Sequence, residues 1–281
     1  MEKKRLSHTV HRYFKQLEKY SNKMKDDFDE ETIHHLRVNF KKLRSFLRML
    51  RLSAAEPDEL KYSHSLKKMY ATAGKIRDRQ LCLKRIKETA KAAARTKMHE
   101  LKRDIKDLGH KNHFPDKKDL QALSNNMISH LPPALPALAK DFVSRKLETI
   151  RSIQARATYH DTELHSIRKS LKDIFYIIGI YHDDLRTPLP FSLWDEEETK
   201  KIESFLEKLG LFNDSVIALS FVSLGEIRKA GKQEKEVLQA IRRQWLAEKR
   251  KLKKDILQEL PGIKLTFRQK GRPGVTNHNP G

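Results

Sequence analysis

Ile33-His34-His35-Leu36-Arg37-Val38-Asn39-Phe40-Lys41-Lys42-Leu43 places apolar side chains at 33, 36, 40 and 43. Leu47 and Leu50 continue the spacing, so these residues form one buried stripe of a helix. One residue further on, His34, Arg37, Lys41, Arg44 and Arg48 repeat the same steps with basic groups. A step of one residue turns the helix by ~100°, so the cations lie along the edge of the core face. No acid interrupts them. Like charges at i,i+3 and i,i+4 each cost a few tenths of a kcal/mol, and a bound anion is the simplest compensation.

The stretch recurs. Leu164-His165-Ser166-Ile167-Arg168-Lys169-Ser170-Leu171-Lys172-Asp173-Ile174 has the same pattern 131 residues later (34 to 165). Its apolar stripe is Leu164, Ile167, Leu171, Ile174 and Ile178, and its basic edge is His165, Arg168 and Lys172, widened by Lys169. A second pair follows in the same order: Gly74-Lys75-Ile76-Arg77-Asp78 and Gly210-Leu211-Phe212-Asn213-Asp214, 136 residues apart (74 to 210). Two motifs repeated in order at almost one offset predict two similar halves, about 1–130 and 131–260, joined near Pro132–Pro136.

Composition agrees with an all-α chain. Of 281 residues, 59 are Lys or Arg and 37 Asp or Glu, a formal net charge of +22. Charged residues reach 34% and apolar ones only 38%, against ~25% and ~45–50% in average domains. Ten glycines and ten prolines are few for this length. Turn sites at Pro57, Pro115, Pro132–Pro136, Pro188, Pro190 and Pro261 predict helices near 5–26, 30–52, 58–72, 75–108, 117–130, 136–158, 162–183, 195–209, 212–229 and 232–260. Asp29 and Asp195 read as N-caps, Asp195 with Glu198 as a capping box. The tail 261–281 is expected to be disordered. No continuous apolar run approaches the ~18 residues of a membrane span, and no apolar segment of signal-peptide type follows Met1–Arg5, so a cytoplasmic protein without membrane contact is expected. Cys82 is the only cysteine, which excludes an internal disulfide and a Cys-based zinc site.

With these motifs in place, the chain resembles the CHAD family, whose domain is α-helical and histidine-containing. The likeness rests on His34-His35-Leu36-Arg37-Val38 with Lys41-Lys42-Leu43-Arg44, on His165-Ser166-Ile167-Arg168-Lys169 with Lys172 and Tyr176, and on Arg77-Asp78 and Asn213-Asp214. It covers roughly 5–260. The resemblance implies two four-helix-bundle halves related by a pseudo-twofold axis around a basic central pore. It also implies non-catalytic binding of inorganic polyphosphate and association with polyphosphate granules, with no cofactor and no metal. By that likeness His34, Arg37, Lys41 and Arg44 line the pore from the first half, and His165, Arg168, Lys169 and Lys172 from the second; Arg48 extends the first stripe. Phe175 departs from the pattern where a further arginine is usual, after Asp173, which implies a weaker second half-site. Asp78 and Asp214 are expected to pair with a pore arginine or to cap the following helix.

Two other readings compete. The net charge also suits nucleic acid, RNA in particular, but aromatics are only 7% and show no interleaving with basic residues for base stacking. His160-Asp161 and His182-Asp183-Asp184 resemble metal-binding pairs of a metal-dependent phosphohydrolase, yet they recur nowhere in the first half. The chain has no Walker-type loop, no Gly-x-Ser-x-Gly elbow and no activating partner beside Cys82 in sequence, so a binding protein is expected rather than an enzyme.

Overall fold

Long amphipathic helices with few breakers must bury their stripes against each other, and the computed structural model shows how they do so. It describes residues 2–26, 28–90, 94–111, 114–132, 136–156 and 158–267. The order is α1 (Glu2–Asp26), α2 (Glu30–Leu50), α3 (His64–Ala90), α4 (Arg95–His110), α5 (Lys117–Ser129), α6 (Pro136–Gln154), α7 (Asp161–Gly179), α8 (Glu196–Phe221), α9 (Leu224–Lys229) and α10 (Lys232–Glu259). No strand occurs among the described residues. Asp29 caps α2 by accepting from the backbone of Glu31 and Thr32. Asp195 and Glu198 close a capping box on α8, and Asp116 with Asp119 does the same on α5.

The helices of the two sequence halves pack in a similar order. In the first half α1 packs on α2, α2 on α3 and α3 on α4; in the second α6 packs on α7, α7 on α8 and α8 on α10. Across the halves equivalent helices meet, α2 with α7 and α3 with α8. Ile33, Leu36, Phe40, Leu43, Leu47 and Leu50 are all buried, as are Leu164, Ile167, Leu171 and Ile174, and these residues belong to one core. Full burial of each such side chain contributes roughly 1.5–3 kcal/mol. Ile178 is only half-buried, and Ile177 takes the inward position. Asp173, itself buried, ties the halves together. It accepts from Ser45 Oγ, pairs with Lys146 Nζ at 2.7 Å, and lies 3.8 Å from Arg48.

A second core lies further along α3 and α8, where Ile86 and Cys82 meet Ala218, Leu219 and Trp245. Around it Arg85 donates to Ser215 Oγ at 2.8 Å, pairs with Glu248 and covers the Trp245 ring, while buried Lys97 binds Glu100 and Glu226. Both cores draw on both halves, so the two repeats form a shared interior.

Three expectations change. Predicted breaks at Gly74 and Gly210 fall inside α3 and α8, which run unbroken through them. A helical glycine costs only ~1 kcal/mol, less than packing on both sides returns. The predicted helix 75–108 ends at Ala90, with α4 restarting at Arg95. The tail is ordered at its start. Leu265 is buried, its carbonyl accepts from Arg151, the Lys264 carbonyl accepts from Trp194 Nε1 at 2.9 Å, and Phe267 meets Phe191 edge-on. The rest of the expected disordered tail, 268–281, lies outside the described residues. Glu196–Lys229 has the length and composition of a membrane-crossing helix, a feature that unbroken apolar runs do not reveal; here Phe205, Leu206 and Phe212 within it are buried in the core.

Candidate functional site

Because the basic stripes sit beside the apolar ones, packing α2 against α7 brings both stripes to the seam between the halves. A cavity of about 490 Å³ opens there, walled by α2, α3, α7 and α8. Equivalent positions supply much of its lining: His34 and His165, Arg37 and Arg168, Val38 and Lys169, Arg77 and Asn213, Asp78 and Asp214, Leu81 and Ile217. Lys41, Arg44 and Tyr70 complete it from the first half alone.

Seven of the nine expected residues, His34, Arg37, Lys41, Arg44, His165, Arg168 and Lys169, line this cavity. Lys172 does not line it; burial and then Arg168 hold its ammonium below the ordinary lysine value against the pull of Glu203, and its charge in turn bears on Lys41. Arg48 turns away, to a neighbouring cavity and toward Asp173. The reason is length: from His34 to Arg48 the stripe spans ~21 Å at 1.5 Å per residue and runs on past the central cavity. Tyr70 and Arg77 belong to the lining without having been singled out as ligands. Arg77 was visible as the residue before Asp78; nothing in the sequence marks Tyr70.

The charges inside are mostly unneutralised. Arg77 pairs with Glu30 at 3.2 Å, but Arg37, Lys41, Arg44 and Arg168 have no carboxylate within ion-pair distance among the described residues. Nε of Arg44 and Nε of Arg168 are buried donors without a hydrogen-bond acceptor. Burial and the neighbouring Arg37, Arg168, Arg44 and Lys172 push the Lys41 ammonium down to about 7. His34 and His165, on the solvent side, are held below the usual histidine value, mainly by burial and then by surrounding cations. His165 is fixed by Asn213, whose Oδ1 accepts from Nδ1 at 2.8 Å. His35 belongs elsewhere, stacked on Tyr20.

Arg37 and Arg44 both lie over the Tyr70 ring, at 5.0 and 5.5 Å from its centroid, while Phe40 stacks on the ring at 4.4 Å. The aromatic packing thus fixes the guanidinium positions. Asp78 and Asp214 sit mid-helix in α3 and α8, so neither caps a helix, and neither pairs with a cavity arginine. Burial raises the Asp78 carboxyl above the ordinary range, and Asp214 adds to this against the opposing pull of Arg37. Phe175, at the position equivalent to Arg44, is stacked on Trp194 at 5.5 Å.

The residues of the metal reading are engaged otherwise. Asp161 pairs with Lys249 and Lys253, Asp184 with Arg12 and the Tyr13 hydroxyl, and exposed His182 with its neighbour Asp183. No group of three or more His, Cys, Asp or Glu able to hold a metal occurs among the described residues. Cys82 is buried, with its thiol pushed up to about 12.

A family profile described as the CHAD domain matches residues 8–223. The crystal structure of the CHAD domain from the plant Ricinus communis is similar in fold, with a TM-score of 0.71 and 18% sequence identity over 95% of this chain and 94% of that one. Among curated proteins no relative matches.

Proposed function

The chain belongs to the CHAD domain family, and we propose that it is a non-catalytic module that binds inorganic polyphosphate in the basic cavity between its halves. One observation carries this reading. Arg37, Lys41, Arg44 and Arg168 converge from both halves on one cleft, without carboxylate partners and with two buried Nε donors left open. An isolated buried charge is expensive, so this cluster calls for an anion of several charges. Arginines would take phosphate oxygens through paired N–H donors, and Lys41 would act as a point charge. One sign of charge in a low-dielectric cleft also raises the local anion concentration and the association rate.

RNA is the weaker reading. The Tyr70 ring has Phe40 on it and two guanidinia over it, which leaves it unsuited to stacking a base. Under the polyphosphate reading the protein is cytoplasmic and gathers on polyphosphate granules, which a fluorescent fusion would reveal.

The test is titration with long-chain polyphosphate at several salt concentrations, with the Arg37→Glu, Lys41→Glu double variant alongside. Binding that weakens steeply with salt and vanishes in the variant is expected. Retained affinity in that variant, or displacement of polyphosphate by short RNA at equal phosphate concentration, would defeat the assignment.

A further inference from the structure

Lys41 enters the central cavity from the middle of α2. Arg37 and Arg44 of its own helix and Arg168 and Lys172 of α7 bear on its charge. Asp78 from α3 and the two cavity histidines, His34 and His165, feel its field in turn. Among the described residues it has no carboxylate within ion-pair distance.

Other lysines with limited exposure are neutralised. Lys97 sits 3.0 Å from both Glu100 and Glu226, which hold its ammonium above the ordinary value against burial. Lys146 pairs with Asp173 at 2.7 Å. Lys172, the counterpart of Lys41 in the second half (41 plus 131), stays outside the cavity, and its ammonium, lowered by burial and Arg168, is drawn back up by Glu203. Lys41 has neither relief, and burial followed by its cationic neighbours brings its ammonium down to about 7. A lysine desolvated beside other cations is a common form of nucleophilic amine. Near neutral pH about half of such a side chain carries a free lone pair, against roughly one in 2,500 for an ordinary lysine.

We infer that Lys41 is a covalent acylation site for acyl phosphates, whose phosphate Arg37, Arg44 and Arg168 hold while Nζ attacks the acyl carbon. This class of donor carries a dianion for the guanidinia and an electrophilic carbon one bond away from it. The Nζ lone pair forms a C–N bond to the carbonyl carbon. The bond from that carbon to the bridging oxygen breaks, and its electron pair leaves with the phosphate. One amine proton passes to the departing phosphate, so the products are an amide at Lys41 and hydrogen phosphate, and no further reactant is needed. The guanidinia stabilise the charge that develops on the leaving oxygen. Each chain reacts once, which makes this a modification and not turnover. Its consequence rests on the polyphosphate reading above: the amide is uncharged, so one of the converging cations is lost and polyphosphate affinity falls. A polyphosphate already seated in the cavity excludes the acyl donor.

The experiment incubates the full chain with acetyl phosphate near neutral pH and follows each acetyl-lysine by quantitative peptide mass spectrometry. Lys41 reacts roughly tenfold or more faster than Lys172 and than the exposed Lys102 and Lys251, a margin that allows for the lower intrinsic nucleophilicity of a less basic amine. With p-nitrophenyl acetate, a donor without charge, the preference for Lys41 is smaller. Long-chain polyphosphate slows acetylation at Lys41 and leaves Lys102 unaffected. Equal rates at Lys41 and the exposed lysines of the folded protein overturn the site, as does a preference of the same size with both donors. Selective acetylation of Lys41 that ignores polyphosphate instead overturns the polyphosphate reading of this cavity and leaves the acylation site standing.

Discussion

Arg37 lies so close to Gly74 that a Cβ added there would stand 2.5 Å from Nη1 of the guanidinium. The glycine is thus required by the cavity and not by the helix, whose dihedral angles any residue could adopt. Gly74→Ala gains ~0.5–1 kcal/mol of helix stability, offset in part by displacing the flexible end of Arg37. The fold survives, the guanidinium leaves its place over Tyr70, and polyphosphate affinity falls several-fold. Gly210→Ala, whose Cβ would meet Arg168 at 3.8 Å, is in ordinary contact and changes affinity little. Melting curves and calorimetry on the two variants check this; equal affinity in both would show that the Arg37 position is immaterial.

The same glycine shows what sequence could and could not reveal. The apolar stripes specified the core of α2 and α7 because burial depends on spacing alone, and the basic stripes followed at one step's remove. Asp29 and Asp195 were readable because capping is local chemistry. Gly74 was misread as a helix end because its reason is a side chain from another helix, which no local pattern contains; Gly210, likewise read as an end, has only an ordinary contact with Arg168 beside it. Tyr70 was missed for the same cause: its role depends on Phe40, Arg37 and Arg44 arriving together. Arg48 was placed in the site by a stripe that runs on beyond the central cavity, and Leu265 in the tail was left out of the core because one apolar residue among polar ones has no period.

Lys41 stands where both repeats converge, and its ammonium is driven down to about 7 by burial and by Arg37, Arg168, Arg44 and Lys172. A depressed lysine gives stability that is fully present above the unfolded value of ~10.4 and is lost as pH falls through the folded one, so the free protein gains stability between about pH 7 and 10. A polyanion reverses the balance by favouring the charged form. Binding near pH 8 therefore takes up a proton, and affinity declines as pH rises above about 7. Calorimetry in buffers of different ionisation enthalpy measures the uptake. It disappears in Lys41→Met, a variant that is also more stable than wild type near neutral pH without ligand. Proton uptake undiminished in Lys41→Met would assign the titration to another group.

Asp78 and Asp214 face the cavity from opposite halves without pairing to any of its arginines, and an incoming phosphate chain meets their charge. If repulsion is their main effect on the ligand, Asp78→Asn tightens polyphosphate binding a few-fold near neutral pH, as the removal of one partly screened like charge would. The sign with pH follows from the raised carboxyl value. Protonation of Asp78 begins at a higher pH than for a free carboxylate, so the wild type approaches the variant as the solution is acidified and their difference closes from the acid side. Affinities of the two proteins at neutral and mildly acidic pH decide it. Weaker binding in Asp78→Asn would mean that the carboxylate holds Arg37 electrostatically in its place over Tyr70, with Coulomb attraction to the arginine outweighing repulsion of the phosphates.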